Sequence, residues 1–155
     1  MTLLLFFAFN SFGQIGQDRQ LADQYLNNAE YEKAAQLYDK LMDKDPFGTY
    51  PQYYRCLLAM KDYSTVEKLT KKMVKKQETN LSYLVDLGYV YAQMNQPEKA
   101  KVQYEKAIKS LTPDQNQVII LASSFLNKQE TDYALQTYLE GRKMMREIYG
   151  FYFET

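Results

Sequence analysis

Apolar residues recur at helical spacing in the middle of the chain, over two stretches separated by a polar break. The first stretch includes Leu84, Leu87 and Tyr91, and intervals of three and four residues place them on one face of an α-helix. The break reads Asn95-Gln96-Pro97, and proline favours the first turn of a following helix. The second stretch has the same spacing, with Ala100, Tyr104, Ala107 and Ile108. The pattern therefore predicts two successive helices, each with one apolar face.

This two-helix pattern returns along most of the chain. Thirty-four residues later it reads Val118, Leu121-Ala122, Phe125, Ala134, Tyr138 and Gly141. Sixty-six residues earlier it reads Leu21-Ala22, Tyr25, Ala34, Tyr38, Leu41 and Pro46. A degenerate copy lies between them, with Tyr53-Tyr54, Leu57, Val66, Leu69 and Met73. We therefore predict four units, at residues 15–46, 47–80, 81–114 and 115–148.

The clearest copy resembles the tetratricopeptide repeat. Its spacing is large-x2-Leu-Gly-x2-Tyr, then Ala-x3-Tyr and a closing proline, carried by Leu84, Leu87-Gly88, Tyr91, Ala100, Tyr104, Ala107 and Pro113. By this pattern the chain is identified as a member of the tetratricopeptide repeat family, as four repeats of a longer bacterial protein. The resemblance implies an all-α, right-handed solenoid of antiparallel helix pairs, in which each pair buries its apolar face against its neighbour.

The resemblance also implies a concave groove lined by the first helix of each pair. The positions that would contact a bound peptide or partner protein are Arg19, Asp23, Leu26, Asn27, Arg55, Leu58, Ser82, Val85, Tyr89, Gln93, Asn116, Ile119, Ser123, Leu126 and Asn127. The apolar members suit a partly apolar segment, and the amide side chains suit its backbone. The alternative is that these are ordinary groove residues without a ligand.

Composition excludes most enzyme classes. Hydrophobic residues make up 46% of the chain and charged residues 25%, as in globular proteins. There is no His and a single Cys, Cys56, so the commonest general base and the commonest zinc ligand are missing. With 19 basic and 19 acidic residues, no net positive charge attracts nucleic acid. We expect no catalytic residues, no metal, no cofactor and no nucleic-acid partner, and a buried rather than reactive Cys56.

The first residues resemble a secretory signal peptide. Leu3 to Phe9 is an apolar run, and Ser11-Phe12-Gly13 follows with small residues at the positions of a cleavage site. Seven residues rise only about 10 Å as a helix, too short for a transmembrane span. We expect residues 1–13 to be removed and the protein to be periplasmic or otherwise exported. The alternative is a cytoplasmic protein whose apolar first helix packs on the first repeat.

The last residues, 149–155, contain four aromatic side chains. They are interpreted as the first turns of a further helix cut short, because left in water they would form an apolar patch. Two alternatives are that they fold back as a cap or that they bury against a second copy of the chain.

Charge is distributed unevenly between neighbouring units. Residues 61–78 contain six lysines and three acids, whereas residues 18–45 contain seven acids and four basic residues. Lys68, Lys72 and Lys75 share one helical face. This face is either a solvated surface or a site for an acidic protein or an anionic lipid surface.

These observations favour a non-enzymatic scaffold that binds another protein or peptide in its groove, in the bacterial periplasm. The alternative is the structural repeat arm of a larger envelope enzyme, signalling or secretion protein, with its activity encoded downstream.

Overall fold

The computed structural model describes the backbone of residues 4–150 and the side chains of residues 14–147. Every regular element in that range is an α-helix. In chain order the helices are α1 (Leu4–Asn27), α2 (Tyr31–Leu41), α3 (Pro46–Ala59), α4 (Tyr63–Lys76), α5 (Ser82–Gln93), α6 (Pro97–Lys109), α7 (Gln115–Asn127) and α8 (Thr131–Gly150). The break between α5 and α6 falls at Asn95-Gln96-Pro97, as the sequence predicts, and α6 begins at Pro97.

The turn inside each helix pair has one recurring geometry. A residue with positive φ ends the first helix in all four turns, and these residues are Ala29, Lys61, Asn95 and Gln129. In the α5–α6 turn, the amide of Gln96 donates to the carbonyl of Tyr91 at 2.9 Å. The other three turns repeat this bond, which is the signature of a Schellman C-cap. The turns recur at steps of 32, 34 and 34 residues, matching the spacing of the sequence pattern.

The described residues up to Val66 form one compact unit. Helix α2 packs against both α1 and α3. The hydroxyl of Tyr38 donates to Asp23 at 2.5 Å, and that of Tyr53 donates to Asp39 at 3.1 Å, so each buried phenol has a polar partner. Cys56 is buried, and burial raises the pKa of its thiol to about 11. Because a protonated thiol is a poor nucleophile, Cys56 has the inert character expected from the sequence.

The described residues from Glu67 onward form a second compact unit. Within it α5 packs on α6 and α7 on α8, while α5 also contacts α7 and α6 contacts α8. Helices α5 and α6 cross where Gly88 faces Tyr104, so closely that a Cβ on Gly88 would overlap the Tyr104 ring. The Tyr104 ring then packs edge-on against Phe125 and tilted against Tyr133. One tyrosine thus joins the two helix pairs of this unit.

The outermost described helices extend beyond the unit boundaries expected from the sequence. Helix α1 passes without a break through residues 11–13, the expected cleavage site, and α8 passes without a break through residue 148. Expectations for residues 1–3 and 151–155 lie outside the described residues. Of the described helices, none combines the length and the apolar character that crossing a membrane requires.

Candidate functional site

Helices α5 and α7 are the first helices of their pairs and lie against each other in the second unit. Local sequence determines where each begins. The side chain of Asn80 accepts a hydrogen bond from the amide of Ser82 at 3.2 Å, at the start of α5. The side chain of Asp114 accepts from the amide of Asn116 at 2.8 Å, at the start of α7. Asp114 is the N-cap of α7, and its bond satisfies an amide that has no partner within that helix. The Asn80 bond lies in the turn that leads into α5.

Polar contacts hold the two helices together along their seam. The hydroxyls of Ser82 and Ser124 are 2.7 Å apart. Asp86 and Lys128 form an ion pair with a separation of 2.9 Å. The Lys128 ammonium also lies 4.9 Å from the centre of the Tyr89 ring, in cation–π geometry.

The Asp86–Lys128 pair is mostly shielded from water, since the two side chains are 18% and 19% exposed. A shielded pair is screened less by salt than one on an open surface. Sequence reasoning missed Lys128 because it lies 42 residues from Asp86, and local spacing carries no signal for that contact. The pair links α5 to the end of α7 beside the surface that the two helices present together.

Two aliphatic side chains stand out on α7. Ile119 and Leu126 are 44% and 48% exposed, and seven residues place them about 10.5 Å apart along one helix face. The side chains of Asn116, Ser123 and Asn127 around them are exposed. We refer to the surface made by Tyr89, Gln93, Asn116, Ile119, Ser123, Leu126 and Asn127 as the α5/α7 face.

The members of the α5/α7 face were all expected to line the groove. On α5, Gln93 is exposed, and Tyr89 and the neighbouring Ser82 are half-buried. The surface therefore offers amide donors and acceptors beside exposed aliphatic groups. Such a mixture can bind both the backbone and the side chains of an extended segment.

Two of the expected groove residues are not available to a partner. Val85 is fully buried in the apolar cluster that α5 shares with α6, α7 and α8. Leu26 is also buried, in the last turn of α1, where the tight turn at Ala29 folds the chain back into α2. The expectation that both side chains face the groove is wrong, because neighbouring helices cover positions that helical spacing alone leaves open.

Two charged residues of the expected groove are engaged inside the first unit. The Arg19 guanidinium donates to the carbonyl of Gly48 at 3.0 Å, to Asp45 at 2.9 Å and to the Thr49 hydroxyl at 3.0 Å. Asp23 accepts a hydrogen bond from the hydroxyl of Tyr38. Arg19 therefore joins α1 to the start of α3, and Asp23 joins α1 to α2. In this unit Asn27 and Arg55 are exposed and Leu58 is partly exposed.

The described side chains offer no metal centre. Among them, no group of three or more His, Cys, Asp or Glu residues is placed to hold a metal ion. The α5/α7 face offers amide, hydroxyl and aliphatic groups beside one shielded ion pair.

Solved structures with the same fold include two of MamA. A structure described as the MamA RS-1 ArsTM double mutant is 18% identical, covers 86% of this chain and 76% of its own, and has a TM-score of 0.54. A crystal structure of MamA is 15% identical, covers 86% of this chain and 79% of its own, and has a TM-score of 0.53. These similarities confirm the all-α, tetratricopeptide-like solenoid class and, at this identity, show the fold alone.

No protein-family model matches the sequence, and no curated protein matches it significantly.

Proposed function

We propose that this chain is a non-enzymatic scaffold that binds an extended, partly apolar segment of another protein on the α5/α7 face. One observation carries the proposal. Ile119 and Leu126 remain exposed on a face of α7 bordered by amide and hydroxyl side chains, and the Asp86–Lys128 pair holds that helix against α5. The Asp86–Lys128 and Ser82–Ser124 contacts join the two helices before any ligand binds, so less ordering is needed on binding and more of the contact energy contributes to affinity.

The separation of the two aliphatic residues indicates the form of the bound segment. They lie about 10.5 Å apart along the helix axis. A polyproline II chain presents every third side chain on the same side, about 9 Å apart. A segment with apolar residues at positions i and i+3 therefore fits both side chains, and its exposed backbone can pair with Asn116 and Asn127.

Selection from a library of displayed 12-residue peptides tests this proposal. We expect the wild-type chain to enrich peptides with apolar residues three positions apart. The variant Ile119→Ser/Leu126→Ser should bind the enriched peptides about tenfold or more weakly, because two buried aliphatic contacts are lost.

The matched control is Leu135→Ser/Leu139→Ser on α8. These leucines are 58% and 55% exposed, so the change in surface chemistry is equal and only the location differs. The control should keep its affinity within about twofold. Equal loss in both variants, or no loss in the α7 variant, would contradict the proposal.

We also propose that the protein is exported. The support is in the sequence, in the apolar run Leu3 to Phe9 and the small residues Ser11 and Gly13 after it. Mass spectrometry of the protein purified from its native host should find an N-terminus at or near Gln14. An intact Met1 on the protein from the cytosolic fraction would refute export.

A further inference from the structure

A recess in the second unit lies between α4, α5 and α6, on elements other than the α5/α7 face. Its volume is about 650 Å³. Three ammonium groups lie at its rim and apolar side chains lie deeper within it. We call it the lysine recess and define it by Lys71, Lys75, Lys106, Val74, Leu87 and Tyr91. Its size is that of sites that take a drug-sized ligand or a few side chains of a partner.

One wall of the lysine recess is fixed by a chain of polar contacts. The Lys71 ammonium lies 2.6 Å from the Glu67 carboxylate, which also accepts a hydrogen bond of 3.0 Å from the Tyr91 hydroxyl. The hydrogen bond from Lys71 lowers the pKa of Glu67. Lys99 and Lys71 lie 5.5 and 5.8 Å from the centre of the Tyr91 ring. Lys71 is therefore neutralised by Glu67, and the Tyr91 ring is held in place.

The other two lysines at the rim lack such a partner. Lys75 and Lys106 are exposed, and neither lies within 4.0 Å of a carboxylate of any side chain that the structure describes. The recess also contains one acid, Glu78, which leaves an excess of positive charge. Two unneutralised ammonium groups beside an apolar interior are complementary to a ligand that is both acidic and apolar.

We propose that the lysine recess binds an acidic segment of a partner protein. Two of its carboxylates pair with Lys75 and Lys106, and an aliphatic or aromatic side chain between them enters the recess and packs on Val74. Leu87 and Tyr91 line the recess and are buried, so a ligand contacts them only through a side chain that enters the recess. This geometry favours a peptide over a flat anionic bilayer, which would meet the lysines but leave the interior empty.

Fluorescence anisotropy with a labelled peptide Glu-Glu-Leu-Phe-Glu-Glu tests the proposal. Binding should weaken between about 50 mM and about 500 mM NaCl, because exposed ion pairs are screened by salt. The variant Lys75→Glu/Lys106→Glu should bind about tenfold or more weakly. Lys75→Gln/Lys106→Gln should show a smaller loss in the same direction, and it covers the case in which charge reversal disturbs folding.

The matched control is Lys68→Glu/Lys72→Glu. Both lysines are exposed on α4 and lie outside the recess, so the net charge changes equally. This control should lose less than about threefold in affinity. The peptide Glu-Glu-Ser-Ser-Glu-Glu should bind about fivefold or more weakly than the apolar peptide, since its side chains gain nothing in the recess.

Four outcomes would overturn the proposal. The first is that the Lys68→Glu/Lys72→Glu control loses as much affinity as Lys75→Glu/Lys106→Glu. The second is that the serine peptide binds as tightly as the apolar peptide. Both results would indicate diffuse charge attraction. The third is preferential co-sedimentation with phosphatidylserine vesicles, which would make the surface a lipid site. The fourth is that the variant Ile119→Ser/Leu126→Ser no longer binds the acidic peptide, which would place that peptide on the α5/α7 face.

Discussion

The α5–α6 and α7–α8 pairs share one sequence pattern but differ in how far neighbouring side chains cover the equivalent residues. Tyr104 on α6 and Tyr138 on α8 occupy the same position in the pattern, 34 residues apart. Tyr104 is 2% exposed because Phe125 and Tyr133 pack on its ring, whereas Tyr138 is 43% exposed. The same residue type is therefore a core residue in one pair and a surface residue in the other. Neighbouring helices, rather than local sequence, decide between these roles.

The helix crossings differ in the same way. In the α5–α6 pair the small residue is Gly88 on the first helix, and Tyr104 on the second helix fills the space above it. In the α7–α8 pair the glycine is Gly141 on the second helix, where a Cβ would lie 2.5 Å from Val118 Cγ2. Ala122 occupies the position equivalent to Gly88. A β-carbon is thus present in one pair at the position where the other has no room for it.

The largest expected difference is between truncations of the two equivalent tyrosines. Tyr104→Ala should lower the free energy of unfolding by about 3–5 kcal/mol, because it leaves a cavity among packed aromatic rings. Tyr138→Ala should cost less than about 1 kcal/mol. Urea unfolding followed by circular dichroism measures both changes. Equal losses would show that Tyr138 is also a core residue in solution.

Substitutions at the helix crossings should change the free energy of unfolding by a smaller amount. Gly88→Ala places a methyl group against the Tyr104 ring, which is confined by Phe125 and Tyr133, and should cost about 1–3 kcal/mol. Ala122→Gly removes a β-carbon from a helix interior and should cost about 0.5–1 kcal/mol. The same unfolding experiment compares them. If Gly88→Ala proves neutral or stabilising, the close approach to Tyr104 is wrong.

The stability of the protein at alkaline pH should depend on the buried hydroxyl of Tyr104. Burial, followed by the Glu130 carboxylate that accepts its hydroxyl proton at 3.1 Å, raises the pKa of Tyr104 far above its usual range. The unfolded chain loses this proton near pH 10 while the folded chain keeps it, so stability falls as pH rises above about 10.

Tyr104→Phe removes the pH-dependent contribution of the Tyr104 hydroxyl to stability. It should cost about 1 kcal/mol at neutral pH, where the hydrogen bond to Glu130 is lost. Above about pH 10 its stability should fall less steeply than that of the wild type. Tyr138→Phe is the control, and thermal unfolding between pH 7 and pH 11 gives the comparison. Parallel pH profiles for wild type and Tyr104→Phe would contradict the burial of this hydroxyl.

The smallest expected effect concerns the turns within the two pairs. Gln129 has a φ of 64° and Asn95 a φ of 57°, a region where asparagine is tolerated better than glutamine. Gln129→Gly should therefore raise the free energy of unfolding by about 0.5–1 kcal/mol, and Asn95→Gly should raise it less. A larger rise in melting temperature for Gln129→Gly than for Asn95→Gly would support this ranking, and a fall in both would refute it.

The sequence was sufficient to predict the helices and turns. Helical spacing places Leu84 and Leu87 on one face, and the breaks at Asn95 and Pro97 fall where the structure turns. These properties depend on residues close in sequence, and for that reason the all-α solenoid class could be predicted.

Much of the candidate site could not be predicted in this way. Burial of Val85, the ion pair between Asp86 and Lys128, and the engagement of Arg19 with Asp45 all depend on contacts between different helices. Helical spacing tells which residues share a face, but it does not tell which neighbour covers that face. Helical spacing places Ile119 and Leu126 on one face of α7, and both are about half exposed.

Hydrogen–deuterium exchange tests the proposed binding face most directly. The exchange of the chain alone is compared with that of the chain saturated with a peptide enriched in the library selection. Ligand bound to the folded state reduces local opening, and therefore slows amide exchange around its site. The proposal predicts slower exchange in α5 (Ser82–Gln93) and α7 (Gln115–Asn127), with α8 (Thr131–Gly150) changed least. Protection centred on α8, with α5 and α7 unchanged, would contradict it.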